Sequence, residues 1–180
     1  MTDDRVSTFV TLASSGEEVS FQEYFVKAKH SVAISDVRFD GAEVSRPGPD
    51  VVESILGAEK IVIAPSNPLV SIGPVMAVSE IFSAVQSRQE STVAISPIVG
   101  GLALKGPADR MMRELGHEPS VVGVAHLYKD FVGTLVIDNA DEAHQKTIEA
   151  LGIRCVVTDT VMRSPAICAS LASTVLNLES

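Results

Sequence analysis

The chain has 180 residues, 46% of them hydrophobic, which fits one domain with a sizeable buried core and excludes a disordered chain. Its formal net charge of −9 at pH 7 and its 4% aromatic share argue against a nucleic-acid partner, which needs basic and stacking side chains. No apolar run approaches the length that spans a bilayer and the opening MTDDRVST does not resemble a signal peptide, so we expect a cytoplasmic protein without a membrane partner.

Strand-like and helix-like segments alternate along the chain. Strands are predicted near residues 6–12, 31–39, 59–64, 92–96, 133–138 and 154–159. Helices are predicted near residues 20–28, 49–57, 70–87, 107–115, 121–130, 140–151 and 164–177. Because such alternation requires crossover connections, we predict an α/β fold of three layers, in which helices flank a mostly parallel, Rossmann-like sheet. The pattern is continuous, so residues 1–180 are predicted to form a single domain.

Several predicted boundaries have local signals. Pro107 suits the first turn of a helix, and Gly152 suits a helix end. Ser164, directly before Pro165, is typical of a helix cap followed by a first turn. The stretch SRPGPD at 45–50 is predicted to be a rigid loop rather than a domain linker, because the same pattern continues on both sides of it.

The segment IVIAPSNPLVSIGPV at 61–75 passes from an apolar strand through a polar turn into an apolar helix. Pro65, Ser66, Asn67 and Pro68 favour a tight, hydrogen-bonded turn because of fixed φ angles and short polar side chains. In open parallel sheets, ligands bind beyond the carboxyl ends of the strands, so this turn is a candidate nucleotide site. A capped strand-to-helix turn without a ligand is an equal alternative from the spacing alone.

A second candidate is ISPIVGGLALKGPADRM at 95–111, where a strand is followed by glycines, Lys105 and a helix that opens at Pro107. The paired glycines, Gly100 and Gly101, would let backbone N–H groups approach a phosphate, which is compatible with an acidic chain because it needs only local donors. The segment matches neither the Rossmann glycine spacing nor the Walker A pattern. The alternative is a loop that needs glycine only for positive φ angles.

Two adjacent carboxylates, Asp3 and Asp4, stand before the first predicted strand. At the mouth of a sheet they could hold Mg²⁺ through one or two oxygens and leave other coordination positions for water and phosphate. The alternative interpretation is that the pair belongs to a charged, solvated chain terminus without a metal.

The remaining reactive residue types give no catalytic pattern. Cys155 and Cys168 lie in an apolar strand and an apolar helix without further ligands at metal spacing, so they are predicted to be reduced core residues. The histidines are scattered and are predicted to be surface or capping residues: His30, His117, His126 and His144.

The segments MTDDRV, FQEYFV, APSNPLVSIGPV and ISPIVGGLALKGPADRMM, in this order, resemble the 2-phospho-L-lactate transferases of deazaflavin coenzyme (coenzyme F-420) biosynthesis. The later segment GTLVIDNADEAHQKTIEALGIRCVVTDTVM is similar to the closing strand, helix, strand and helix of that family, so the resemblance covers nearly the whole chain. A distant branch of the same superfamily, the gluconeogenesis-factor-like proteins, typically has a glycine-richer turn in place of Ser-Asn-Pro. The chain follows the transferase form.

The resemblance implies a reaction. Such enzymes transfer a phospholactyl group, or in some lineages a phosphoenolpyruvyl group, from a guanosine diphosphate-linked donor to the hydroxyl of the deazaflavin Fo and release GMP. It implies Mg²⁺ as cofactor, with Asp3 and Asp4 organising the metal and the Fo side as catalytic residues. It also implies which residues bind the nucleotide. Side chains of Ser66, Asn67 and Ser71 would contact it, Pro68 would shape the turn, and Gly100 and Gly101 would offer backbone donors.

The chain also departs from the family pattern. Family members begin with a strand and a GGTGG-type glycine loop, followed by a helical region that helps to enclose Fo, and neither precedes Met1. We therefore expect the chain to correspond to the C-terminal part of such a transferase, with much of the acceptor pocket in absent sequence or in a partner chain. The alternative is a nucleotide-binding fragment or regulatory domain without turnover. A homodimer is also open, because the apolar helices at 70–87 and 164–177 could serve an interface as readily as a core.

Overall fold

A computed structural model describes residues 1–26 and 32–178. Residues 27–31, where the predicted helix at 20–28 ends and the predicted strand at 31–39 begins, lie outside the described ranges, and so do His30 and residues 179–180. Within those ranges the strands are β1 Ser7–Leu12, β2 Glu18–Ser20, β3 Ile34–Asp40, β4 Ile61–Ile63, β5 Thr92–Ile95, β6 Ile98–Val99, β7 Leu102–Ala103, β8 Thr134–Asp138 and β9 Arg154–Thr158.

The helices follow the predicted order along the chain. They are α1 Phe21–Val26, α2 Val51–Gly57, α3 Gly73–Met76, α4 Ser79–Ser87, α5 Ala108–Glu114, α6 Val121–Tyr128, α7 Gln145–Glu149 and α8 Pro165–Leu176. A π-helical turn covers Pro68–Ile72, and 3-10 turns cover Ala42–Val44, Gln89–Ser91 and Asn139–His144.

A parallel sheet of four strands, in the order β4-β5-β8-β9, forms the centre of the fold. Its two faces bury different side chains because successive residues of a strand point to opposite sides. On one face, Val93, Ile95 and Val136 pack against Leu171 and Val175 of α8. On the other face, residues such as Ala94, Leu135 and Ile137 join the main core, which includes side chains of α4, α6 and α7. The predicted three-layer α/β class is therefore confirmed.

The first two predicted strands belong to a separate antiparallel sheet, in the order β2-β1-β3. In β3 the apolar side chains alternate with exposed Asp36, Arg38 and Asp40, the pattern of a sheet with one solvated face. The other face packs through a small core that contains Val10, Tyr24 and Met111 of α5. This sheet thus lies against the parallel unit through α5 and does not extend its strands.

The single helix predicted at 70–87 is wrong. The structure has the π-helical turn and α3, then a break, and α4 leaves at 94°. Pro74 lacks the N–H that a continuous helix from residue 70 requires, and it lies in the first turn of α3 instead. At the break, Val78 has an extended conformation with φ −80° and ψ 108°. Apolar periodicity continued across this bend, which is why the sequence pattern suggested one element.

The boundary predictions at Ser164 and Gly152 agree with the structure, whereas Pro107 is the cap residue before α5 and does not lie in its first turn. Ser164 caps α8, since its Oγ accepts a hydrogen bond from Ile167 N at 3.4 Å and Pro165 is the first helical residue. Gly152 has φ +85° and follows α7. No single helix in the described part of the chain is long and apolar enough to cross a membrane, although the bent pair Pro68–Met76 and Ser79–Ser87 passes that test by length and composition.

Both cysteines are free. Cys155 belongs to the main core and is 5% exposed, as predicted, whereas Cys168 is half-buried on α8. Burial, helped by the nearby Glu149 carboxylate, raises the pKa of the Cys155 thiol to about 11, so this thiol is protonated and unreactive at neutral pH.

Candidate functional site

A cavity of about 400 Å³ lies beyond the carboxyl ends of β4, β5 and β9. Its lining includes Pro65, Asn67, Ser96, Thr160 and Met162 from the turns after these strands, and Lys105 from the loop before α5. Ligands of open parallel sheets bind at this edge, and the volume is in the range of small-molecule sites. The cavity is therefore the candidate functional site.

A second cavity, of about 390 Å³, lies between β3, the π-helical turn and the end of α6. Its walls are largely apolar, with Phe39, Ile72 and Phe131 among them, and Asp36 and His117 add polar groups. It does not lie at the carboxyl edge of the parallel sheet, so fold and chemistry favour the first cavity.

Asn67 lines the candidate site and also caps the π-helical turn that follows it. Its Oδ1 accepts hydrogen bonds from Leu69 N at 2.9 Å and from Val70 N at 3.3 Å. Its Nδ2 lies 3.5 Å from the sulfur of Met111 on α5. The capped turn that the sequence analysis treats as an alternative to a ligand site is therefore present, and it forms part of the cavity wall.

The other residues predicted around this turn lie outside the cavity lining. Ser66 is half-buried and its N–H donates to Ala64 O at 2.7 Å. Pro68 is buried and lines the second cavity instead. Ser71 is exposed. The structure thus brings Asn67 to the cavity, whereas the predicted contacts of Ser66, Pro68 and Ser71 with a nucleotide stay predictions.

Gly100 and Gly101 form the two-residue turn of a hairpin between β6 and β7. Their φ angles are +59° and +76°, as in the turn type that joins hairpin strands most compactly. A Cβ at Gly100 would meet nothing within 4 Å, so glycine is required by backbone conformation and not by close packing. The Gly100 N–H donates to Oδ2 of Asp141 at 2.9 Å, and Asp141 is only 4% exposed. The donor that was predicted to bind phosphate is thus engaged by a carboxylate.

Asp138, at the end of β8, holds the loop that follows β9. Its Oδ2 accepts hydrogen bonds from Thr160 N at 2.9 Å and from Thr160 Oγ1 at 3.2 Å, and its Oδ1 accepts one from Ala140 N at 3.1 Å. Burial alone would raise the pKa of Asp138, but these hydrogen bonds and the Arg163 charge outweigh it and lower the pKa. Asp138 is therefore ionised at neutral pH.

The two buried aspartates connect two parts of the cavity wall to β8 and to the 3-10 turn that follows it. Asp138 fixes Thr160, which lines the cavity, and Asp141 fixes the turn of the hairpin that contributes Val99 to the lining. Neither aspartate is among the site residues predicted from the sequence. The signal that could have found them is the run DNAD directly after the buried strand TLVI, because polar residues at a strand's carboxyl end lie at the ligand edge.

Asp3 and Asp4 are exposed and precede β1 of the antiparallel sheet. Asp4 Oδ2 accepts a hydrogen bond from Arg46 N at 2.8 Å, so it helps to fix the loop at 45–50. Neither aspartate lines the cavity, and no group of three or more His, Cys, Asp or Glu residues within the described ranges could hold a metal ion. These side chains therefore do not assemble a magnesium site beside the cavity.

The parallel sheet, its two helical layers and the cavity at its carboxyl edge define a Rossmann-like α/β protein. The chain belongs to the 2-phospho-L-lactate transferase family: the family described as 2-phospho-L-lactate transferase CofD matches residues 1–172. The resemblance predicted from the sequence is confirmed.

Curated relatives agree with the family. The chain is 36% identical over 181 residues to the 2-phospho-L-lactate transferase of Methanopyrus kandleri, covering 99% of the chain and 56% of that protein. It is 37% identical over 181 residues to the phosphoenolpyruvate transferase of Streptomyces griseus, covering 99% of the chain and 57% of that protein. The chain therefore spans a little over half the length of these relatives.

A solved structure supports the fold. The chain has a TM-score of 0.65 and 16% identity with protein BH3568 of Bacillus halodurans, covering 98% of the chain and 60% of that protein. A second structure of the same protein, described as a member of the UPF0052 family, gives a TM-score of 0.58 at 17% identity. At this level of identity the likeness concerns the architecture alone.

Proposed function

We propose that the protein represented by this chain transfers a 2-phospholactyl or phosphoenolpyruvyl group from a guanosine diphosphate-linked donor to the hydroxyl of the deazaflavin Fo. The observation that carries the proposal is the position of the family segment APSNP, which supplies Pro65 and Asn67 to the cavity at the carboxyl edge of the sheet. The chain spans 56% of the length of the Methanopyrus kandleri relative, so the activity is proposed for the complete protein and not for these 180 residues alone.

The proposed reaction is a displacement at phosphorus. The hydroxyl oxygen of Fo forms a bond to the phosphorus that carries the lactyl or enolpyruvyl group, and the bond from that phosphorus to the bridging oxygen of GMP breaks. GMP leaves with the bridging oxygen, and the hydroxyl proton is released. In this reaction the chain would bind the guanosine part of the donor, because its cavity combines polar turns with apolar walls.

Mg²⁺ remains the proposed cofactor, held through Asp3 and Asp4. These aspartates lie apart from the cavity lining. A cytoplasmic location and a homodimer likewise remain predictions from the sequence.

A second candidate function is nucleotide binding without turnover, as in a regulatory domain. It is favoured by one observation: Asp3 and Asp4, the carboxylates predicted to hold Mg²⁺, lie outside the cavity lining, so this pair does not provide a metal site at the cavity. Phosphoryl-type transfer commonly relies on such a site, whereas simple binding of a nucleotide does not.

Two measurements test these functions. Calorimetry with GDP should detect binding to the 180-residue chain, and Asn67→Ala should weaken it, because Asn67 lines the cavity and orders the adjoining turn. The complete protein should convert Fo and the guanosine donor into coupled product in the presence of Mg²⁺, as detected by mass spectrometry.

The two outcomes separate the candidates. Product formation that stops when EDTA removes the metal supports the transferase. GDP binding without any product from the complete protein favours the regulatory domain. Failure of the chain to bind GDP would reject both functions as properties of these 180 residues.

A further inference from the structure

Lys105 is the only charged residue among the described residues that line the candidate cavity. It lies on the loop between the hairpin and α5 and is exposed. Within the described ranges, no hydrogen bond or ion pair engages its ammonium group. In a chain with a net charge of −9, an unpaired lysine at a cavity is a local site for an anion.

The neighbouring glycine turn is not available for the same anion. The Gly100 N–H already donates to the Asp141 carboxylate at 2.9 Å. A phosphate placed there would lose that donor and would face a buried negative charge at short range, which is costly in a partly desolvated site. The anion is therefore better placed on the Lys105 side of the cavity.

The other polar side chains of the cavity are already engaged within the protein. Ser96 Oγ donates to Ile98 O at 3.0 Å and accepts from Ile98 N at 3.1 Å. Thr160 Oγ1 donates to Asp138, and Asn67 Oδ1 accepts from the turn that it caps. These groups shape the cavity, and among them only the Asn67 amide, whose Nδ2 lies 3.5 Å from the Met111 sulfur, keeps a neutral donor that can turn to an anion. Lys105 is the side chain whose donors are all free to bind one.

We propose that Lys105 binds the phosphate groups of the ligand, and that the glycine turn serves as a structural element of the wall. The proposal rests on the proposed nucleotide-binding function and deepens it. Leu104 and Met162 also line the cavity and are 55% and 51% exposed, so they offer apolar surface to the remainder of the ligand. The ligand class is thus an amphipathic phosphate ester with its anionic end at Lys105.

The test compares probes with and without phosphate on the 180-residue chain. GDP and guanosine are titrated by calorimetry into the wild type, Lys105→Met, Lys105→Arg and the control Lys146→Met, which removes an exposed lysine outside the cavity lining. We expect Lys105→Met to weaken GDP binding by about tenfold, because a charge-assisted hydrogen bond is lost. Guanosine binding should be unchanged, and the two other variants should stay within about threefold of the wild type.

If Lys105→Met loses equal affinity for GDP and guanosine, or loses affinity for neither, the proposed role of Lys105 is overturned. If the wild type binds neither compound, the nucleotide function fails and Lys105 is tested by inorganic pyrophosphate. Loss of pyrophosphate binding in Lys105→Met would then support an anion site at Lys105 without a nucleotide. No pyrophosphate binding to the wild type would overturn the site as well.

Discussion

Glu114 of α5 accepts a hydrogen bond from the backbone N–H of Ile34 in β3, with 3.0 Å between Oε2 and N. The other oxygen of Glu114 lies 3.0 Å from Nε of Arg110, and Arg110 donates to the hydroxyl of Tyr24. Tyr24 in turn donates to Val32 O at 3.1 Å. One carboxylate on the parallel unit therefore organises the polar contacts that dock the antiparallel sheet.

We expect Glu114→Ala to lower the free energy of unfolding by about 1–3 kcal/mol, because the Ile34 N–H and the Arg110 guanidinium lose a partner in a half-buried place. Glu114→Gln should cost less, since its amide oxygen can still accept from Ile34. Urea denaturation monitors the change, and Glu142→Ala, at an exposed carboxylate on the 3-10 turn before α7, is the control. Equal stability of Glu114→Ala and the wild type would contradict the docking role.

Asp138 should give stability a defined pH dependence. Its folded pKa is lowered, so its contribution is complete above the unfolded pKa of about 3.9 and is lost as the pH falls through the lower folded value. Asp138→Asn should cost about 1–3 kcal/mol at neutral pH, because the amide cannot accept all three hydrogen bonds. The difference between Asp138→Asn and the wild type should shrink below about pH 4 in a series of urea titrations. A difference that stays constant down to low pH would assign the effect to packing and not to charge.

The turn at Gly100 offers a test of backbone conformation without steric interference. Gly100→Ala should destabilise the protein by about 1–2 kcal/mol, because an L-residue is strained at φ +59° while the added Cβ meets no atom. Gly100→Asn should cost less, since asparagine tolerates this region. Faster hydrogen exchange of the β7 amides in Gly100→Ala than in Gly100→Asn is the expected readout. Similar exchange in both variants would show that the turn does not depend on positive φ.

The positions of helices and strands could be predicted from the sequence better than the contacts between them. Short apolar runs such as Ile61–Ile63 and capped starts such as Ser164 are local signals, so the parallel strands and α8 were found. The contacts that build the cavity walls join distant residues: Gly100 and Asp141 are 41 positions apart, and Asp138 and Thr160 are 22 apart. The spacing of apolar residues along the sequence does not indicate contacts between such distant residues. For the same reason, the separate antiparallel sheet emerged only once strand pairing was known.

Gly73 couples the antiparallel sheet to the turn that carries Asn67. The Phe39 ring of β3 lies over this glycine, and a Cβ at position 73 would be 2.9 Å from the ring and 3.3 Å from Pro68 O. Gly73→Ala should therefore destabilise the protein by about 1–3 kcal/mol through overpacking, despite the better helix propensity of alanine. Thermal unfolding should show a lower melting temperature for Gly73→Ala, whereas Gly57→Ala, where the added Cβ meets nothing within 4 Å, should not lose stability.

A double-mutant cycle identifies the ring as the cause. Phe39→Leu removes the ring edge, so the combination with Gly73→Ala should be more stable than the sum of the single changes by at least about 0.5 kcal/mol. Strict additivity would mean that the contact with Pro68 O, and not the contact with Phe39, requires glycine at position 73. Because Pro68 follows Asn67 directly, the cavity wall is tested separately by calorimetry with GDP: binding that Gly73→Ala weakens and Phe39→Leu restores would show that the position of the antiparallel sheet affects the cavity wall.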